Sequence, residues 1–557
     1  MFKIPFDILL IRTLKRLDLQ NSYQSVYILR MVDMTKECPS PLRPLRRLPA
    51  RSFAVALAAF SLSVLLIAQQ QGPAPSRAQL LGTQGAQGAD AAAISQSAQQ
   101  VGSPSVLSLM TQVQVQGPYR SSIPDGLHSA DLRFLSFDRA LELALRSNLG
   151  PLTAAMAANQ AHGGEISARS ALLPNISAVL SENVEKVDLA SEGFNASSLP
   201  SIGQYFPSTV GPFHFYTAQA QVSQSAFDLV ALRNYASAKE LAHASRWSSL
   251  DAREQLTVAV AGTYLQVMAA TSLVESQLAQ VKFAKSVYEQ ALVREQTGAV
   301  AQIEVNRSLV EYQTAQQRLL AEQAEVTKLK MVLSRVIGLP IDAEFELQEK
   351  LPEQLACAFS LDDAYERSNN RRDLASERAM VRAAELSRKA AASEDLPSVG
   401  ISGSYGLQGV DPNKGSGVYN ASASLVIPLF SGRRTKGDQI QAEAALELRR
   451  AELASAIEQA RFDVRTAWID LDVALKQVGL AGANRDLARN TLAQSMDRFA
   501  AGAADSVEVV QSQESVAAAD HDYIGSVFSA ALARVSLARA MGEAEKEVPG
   551  ILKGSKE

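Results

Sequence analysis

Two rhythms of hydrophobic and polar positions alternate along this chain. From Leu229 to Thr297, and again from Gly432 to Ala501, Ala, Leu, Gln, Glu and Arg follow helical spacing, and no proline falls between Phe213 and Leu339 or between Leu429 and Val548. Long unbroken helices are therefore allowed and favoured. At 1.5 Å per residue, roughly 70 residues span on the order of 100 Å, longer than an ordinary globular core. Such helices need coiled-coil-like packing along their length. Gly298 and Gly502 are each followed within a few residues by a new helix start. They are predicted to stop the long helices in the left-handed conformation and to mark the tips of two helical hairpins.

Between the helices the rhythm shortens to two. Tyr216, Ala218, Ala220 and Val222 alternate with Thr217, Gln219, Gln221 and Ser223, and Val399, Ile401 and Tyr405 with Gly400, Ser402 and Ser404. Tyr419, Ala421, Ala423, Leu425 and Ile427 alternate with Asn420, Ser422 and Ser424; Ile176, Ala178 and Leu180 alternate more weakly with Ser177 and Ser181. Four strands are predicted, each with one apolar and one small polar face and of the length that crosses an outer membrane when tilted. Taken alone, period two favours a soluble sheet with one wet face, because the barrel signal is weak strand by strand.

The N-terminal sequence reverses that balance. Arg43, Arg46, Arg47 and Arg51 lead into an apolar run from Phe53 to Ala68, and Ser76-Arg77-Ala78 offers a cleavage site before Gln79. This is the pattern of a secretory signal. The run is shorter than the roughly 20 residues that span a bilayer, and no later segment is expected to be long and apolar enough to do so. Met31 and Met34 would make more ordinary starts than Met1. Residues 69–130, made of Gln, Ala, Gly, Ser and Pro, read as a flexible leader, so folded structure is expected from near Leu135. In an exported chain the four strands become candidate membrane strands. Four cannot close alone, since the smallest single-chain barrels have about 8. Three copies would give twelve around an aqueous tube, with Phe213, Phe215, Tyr216, Phe227, Tyr405, Tyr419 and Phe430 placed for an interfacial girdle, although core packing explains any one of them equally well.

The chain is also duplicated. Leu135-Ser136-Phe137-Asp138-Arg139-Ala140 and Phe359-Ser360-Leu361-Asp362-Asp363-Ala364 each offer a serine N-cap ahead of a helical pattern. Further on, a constant offset of 204 residues superposes residues 297–305 on 501–509, with Gly, Ala, Glu and Val coinciding, and pairs Tyr264 with Trp468 and Gly338 with Gly542. Two copies argue for a duplicated unit of helix, strand, strand, long helix, turn and helix rather than a solenoid.

Charge and chemistry remove other classes. A net charge of −4 without a basic, aromatic-interleaved run disfavours nucleic acid. Cys38 precedes the cleavage site, so a processed chain would keep Cys357 as its one thiol and form no internal disulfide. No cysteine follows the apolar run to accept a lipid. His128, His162, His214, His243 and His521 lack metal-ligand spacing, no phosphate-binding glycine loop or nucleophile elbow occurs, and His162-Gly163-Gly164 lies in a helical stretch where it marks a kink. No enzyme activity, cofactor or metal is expected. A periplasmic coiled-coil scaffold or trimeric surface fibre without channel activity, and an envelope enzyme, remain the alternatives.

The strand entries Leu173-Pro174 and Leu396-Pro397, the exit Ile427-Pro428-Leu429-Phe430-Ser431-Gly432 and the two Gly-x-x-x-x-Val/Ile-Glu-Val tips resemble the outer-membrane efflux protein family, of which TolC is the namesake. The likeness covers about residues 131 to 545. It implies a mainly α chain with a transmembrane β-barrel portion: a homotrimer whose 12-stranded β-barrel, set in outer-membrane lipid, continues as a long α-helical barrel in the periplasm. It further implies the exit duct of a tripartite efflux or type I secretion system, a passive conduit that docks to a periplasmic adaptor protein and an inner-membrane pump of RND or ABC type. The boundaries that follow are a signal peptide region at 1–78, a disordered leader at 79–130, a first repeat at 131–345, a linker at 346–358, a second repeat at 359–545 and a C-terminal tail at 546–557. The family's entrance carboxylates fall on Glu304 and Glu508, and a ring of three Glu508 would favour cations. A further acidic gate position falls on Gln511, and the tyrosine and arginine of the family's closed state on Phe499 and Ala504. A lock of those polar links is therefore in doubt, and apolar closure at Phe499 is the expectation. Thr297, Gly298, Ala299, Gly502, Ala503 and Asp505 are the expected adaptor-docking tips.

Overall fold

The computed structural model describes residues 94–96, 113–123, 133–189, 207, 209–352, 360–411, 414–501, 503–504 and 506–553. The signal region, Cys38, Cys357, His128, Gly502 and Asp505 lie outside the described residues.

Folding begins earlier than the composition suggests. β1 (Ile94–Gln96) pairs antiparallel with β2 (Val113–Val115), and a 3-10 turn covers Gly117–Arg120. The leader over 79–130 is thus partly ordered, a correction with one clear physical cause in the 3-10 turn. Tyr119 is buried, its carbonyl accepts a 2.8 Å hydrogen bond from Asn148 Nδ2, and its ring lies so close to Gly150 that an added Cβ would come within 2.4 Å. One anchored aromatic outweighs a composition that favours disorder.

β3 (Phe134–Leu135) leads into α1 (Phe137–Ser147), capped as expected by Ser136, which accepts from Arg139 N. The helix breaks at Asn148, whose side chain caps α2 (Leu149–Ser170) through Gly150 N. α2 continues through Gly163 and Gly164; the interruption belongs to Asn148, whose side chain offers the backbone an alternative to the helical bond. β4 (Asn175–Asp188) and β5 (Thr209–Phe227) precede α3 (Leu229–Gln296), 68 residues long, and α4 (Gln302–Ile337). β6 (Glu346–Leu347) pairs with β3. The second half repeats the order: α5 (Leu361–Ser368), opened by a Ser360/Asp363 capping box, α6 (Arg372–Ala391), β7 (Ser398–Gly409), β8 (Ser416–Val426), α7 (Arg434–Ala500), 67 residues long, and α8 (Ser506–Ala540). α9 (Ala544–Lys553) closes the described chain. Its Val548, Ile551 and Leu552 are buried in the main core, so the segment read as a tail packs back onto the fold.

The duplication reaches individual hydrogen bonds. Ala299 N donates to Arg294 O at 2.8 Å and Ala503 N to Arg498 O at 2.9 Å; Leu339 N donates to Ser334 O at 2.9 Å and Glu543 N to Ala538 O at 3.0 Å. Each pair is 204 residues apart. Gly298, Gly338 and Gly542 have φ of 73°, 82° and 76°, the left-handed stop that a Schellman motif needs. A Cβ on Gly338 would also fall 2.3 Å from Ser147 Oγ. Gly338→Ala should cost at least about 1–2 kcal/mol from the left-handed backbone alone, read as a lower denaturation midpoint against wild type.

The long helices exchange neighbours half-way along. Towards the strands α3 packs with α2 and α6, and α6 packs with α7; towards the tips α3 packs with α4 and α8, and α8 packs with α7. The largest core sits at the crossover. Tyr264 is fully buried there, edge-on to Phe137 at 5.6 Å, with its hydroxyl in reach of Leu135 O (2.9 Å) and the Glu349 carboxylate. Its repeat partner Trp468 packs more shallowly on a second cluster. An eighteen-residue window of α3 is long and apolar enough to cross a membrane, contrary to expectation, but 83% of it is buried inside the chain. That apolarity is core.

A buried ion-pair group ties the crossover together. Arg371 Nη2 meets Asp373 at 2.7 Å while its Nη1 meets Asp463 at 2.9 Å; Arg372 meets Glu254 at 3.0 Å and Glu545 at 3.4 Å; Arg539 meets Asp251 at 2.9 Å. Burial raises the Asp251 and Glu254 carboxyls above the usual range. Burial pushes Asp373 the same way, but Arg371 overrides it and holds that carboxyl below its usual value.

Candidate functional site at the hairpin tips and the sheet

The two hairpin tips lie side by side, joined by polar contacts. The motif valines Val305 and Val509 are buried and hold the first turns of α4 and α8 in place, while the glutamates before them stay at the surface. Glu304 accepts from Arg307 Nη1 at 2.9 Å on its own helix, and its second oxygen accepts from Ser506 Oγ on the other hairpin. Glu508 pairs with Arg498 at 3.4 Å across the second tip. Phe499 is half-buried beneath the Arg294 guanidinium, 4.4 Å from the ring centroid. Within one chain the aromatic therefore faces a cation. Gln511 is exposed, with its backbone carbonyl taken by Ser515 Oγ. Behind it, Ser495 and Ser512 hydroxyls bond at 2.8 Å in a buried position, linking α7 to α8. Thr297, Gly298, Ala299 and Ala503 are exposed.

Arg294, Arg307, Arg498 and Ser506 were not expected. The signal was present: Arg294 and Arg498 are themselves 204 residues apart, so the repeat register places a cation four residues before each tip glycine.

At the far end, β4, β5, β7 and β8 form one antiparallel sheet in that order. Register settles its faces. Ile176 opposes Val222, Ala178 opposes Ala220, and Leu180 opposes Ala218; Ala220 in turn opposes Tyr405, which opposes Tyr419, while Ile401 opposes Ala423 and Val399 opposes Leu425. Directly opposed residues share a face, so apolar residues from all four strands form one side and Ser177, Gln221, Ser404 and Asn420 stand on the other. Ser402 and Ser422 hydroxyls bond across that polar side at 2.7 Å. The apolar side is open: Leu180 is 81% and Tyr419 82% exposed.

Residues 364–543 match the family model described as outer membrane efflux protein. The pyoverdine export outer membrane protein OpmQ of Pseudomonas putida is 26% identical over 430 residues, covering 73% of this chain and 85% of that protein. Residues 364–543, within the second repeat, therefore resemble the outer membrane efflux protein family.

Solved channels share the fold. VceC from Vibrio cholerae superposes with a TM-score of 0.60 at 18% identity, covering 73% of this chain and 96% of that one. The Campylobacter jejuni CmeC outer membrane channel gives 0.59 at 17% identity, covering 75% and 89%. These likenesses are to outer-membrane export and efflux channels. An exposed apolar sheet face backed by a small polar one is the pattern of transmembrane barrel strands.

Proposed function

We propose that three copies of this chain close into a 12-stranded barrel continued by a helical barrel, the outer-membrane exit of a tripartite export assembly. The unpaired edges carry this reading. Within one chain β4 and β8 are paired on one side only and run in opposite directions, so β8 of one copy meets β4 of the next in antiparallel register. Twelve strands closed this way leave no free edge in lipid. The outermost helices near the tips agree. α4 exposes Ile303, Val310, Leu320 and Met331, and α7 exposes Ile469, Val473, Leu480 and Leu487, largely at heptad spacing. Such stripes suit a coiled-coil seam between copies.

In this assembly residues 1–78 serve as the export address and 131–345 and 359–545 as the two repeats. Thr297, Gly298, Ala299, Gly502, Ala503 and Asp505 dock a periplasmic adaptor, and an inner-membrane pump of RND or ABC type supplies the energy. Glu304 and Glu508 line the periplasmic aperture, where a threefold ring of carboxylates favours cations. Arg498 beside Glu508 limits the field of that ring. The OpmQ relatives make pyoverdine the first cargo to test.

The test is single-channel conductance of detergent-purified protein in a planar bilayer, with oligomer mass recorded alongside. Trimers with cation-selective conductance that Glu508→Gln weakens support both the duct and its ring. Unchanged selectivity discards the ring and keeps the duct; a water-soluble species that never conducts removes the assembly.

A further inference from the structure

Where β8 leaves the sheet, the chain presents two apolar side chains to solvent and then three basic ones. Leu429 is 94% and Phe430 86% exposed, and they follow closely on Leu425 of the apolar sheet face. Arg433, Arg434 and Lys436 follow within the next six residues, all exposed. Arg434 is engaged by Glu394 at 3.4 Å and Asp438 at 3.7 Å. Arg433 and Lys436 have no acidic partner among the described residues. The acids nearest in sequence and space are Glu394, Asp395 and Asp438, which are grouped around Arg434.

Two features indicate that this charge is not dictated by the fold. The 204-residue offset places Leu229, Val230 and Leu232 of the first repeat on Arg433, Arg434 and Lys436, and α3 starts there without a basic residue in its first turn. Arg433 also occupies φ 67°, directly after Gly432 at φ 63°, a backbone position that favours glycine over arginine. A side chain kept against local preference points to a role outside the fold.

We infer that the Leu429–Lys436 segment is a binding surface for anionic phospholipid on the periplasmic leaflet of the outer membrane: Leu429 and Phe430 enter the acyl boundary, and Arg433 and Lys436 meet lipid phosphates. The inference rests on the reading that β4, β5, β7 and β8 span that membrane. Apolar anchors beside unpaired cations form the combination that binds an anionic interface, apolar area providing depth and charge providing lipid selectivity. The duplicated site has leucine and valine in place of the cations and, at the same offset, Ser225 and Ala226 in place of Leu429 and Phe430, so neither half of that surface is repeated there.

The experiment uses the full chain purified in detergent containing equal phosphatidylethanolamine and phosphatidylglycerol, with bound lipid identified by native mass spectrometry, and flotation on vesicles holding three parts phosphatidylethanolamine to one of phosphatidylglycerol. Wild type is expected to insert and to retain phosphatidylglycerol in excess. Arg433→Gly with Lys436→Gln, chosen because glycine suits the backbone at 433, should insert equally and lose that preference, by roughly five-fold per side chain. Arg318→Gln, an exposed cation on α4, should keep it. Insertion without lipid preference in wild type, or preference retained by the double variant, overturns the inference alone. Failure of wild type to insert overturns the membrane reading together with it.

Discussion

Arg371→Met should destabilise the folded chain by about 1.5–3 kcal/mol, the scale of hydrogen bonds to charged groups, since its partners Asp373 and Asp463 are themselves about a third exposed. Arg371 is buried at the crossover, bonded through Nε and Nη2 to both oxygens of Asp373 and through Nη1 to Asp463. Burial alone would lower its pKa; Asp373 and Asp463 raise it instead, so the guanidinium stays charged. The methionine variant leaves Asp373 and Asp463, both half-buried, without their cation and with only Leu374 N and Gln459 Nε2 as hydrogen-bond partners among the described residues. The loss should appear as a lower midpoint in urea, followed by circular dichroism on detergent-solubilised protein. Replacing all three charged groups with apolar residues of similar size should recover much of it, and a triple variant as unstable as the single one would overturn this account. The pH dependence has a definite sign. Asp373 is held below its usual pKa in the fold, so its contribution is complete above the unfolded value of about 3.9 and disappears as pH falls through the lower folded value. Asp251 and Glu254 act in the opposite sense: raised by burial, their charged forms cost stability at neutral pH, and that cost is relieved on acidification.

The second large effect is expected at the tips. Arg294→Gln with Phe499→Ala removes the cation over the ring, a contact worth about 0.5–1 kcal/mol at an exposed site. In a trimer where three such contacts release together, the open-to-closed ratio should rise on the order of ten- to a hundred-fold. In planar bilayers this reads as larger or longer openings with unchanged oligomer mass. Removing the Ser506 link to Glu304 by Ser506→Ala should add to the effect, because the two contacts join the same pair of hairpins. Openings unchanged in the triple variant would show that the tips are held elsewhere.

Most of the architecture was legible because it rests on periodicity. Proline-free Ala/Leu/Gln/Glu/Arg runs foretold α3 and α7 to within a few residues, and alternation foretold all four strands of the sheet with the correct faces. Their true lengths were less visible: β5 extends back to Thr209 and β4 on to Asp188, where the alternation gives way to charged and aromatic residues paired across the strands. The packing of Tyr119, the break at Asn148 and the docking of α9 escaped because each depends on a partner far away in sequence. At the tips, the residue types were legible and their pairing was not. Phe499 could be read as a closing aromatic, but only three-dimensional packing sets Arg294 above it.

The exchange of neighbours along α3 and α7 has a mechanical consequence. Each long helix is clamped by different partners on either side of the ion-paired crossover, which places the crossover to act as a fulcrum rather than as one more point along a rod. The arm of α7 from Asp463 to Ala500 is about 55 Å at 1.5 Å per residue. A swing of about 5° about that fulcrum carries the tip roughly 5 Å while the strand end, gripped by α6, stays in register. In the proposed assembly, small repacking beside Arg371 would be geared up into a displacement at the tips while the strand end keeps its place.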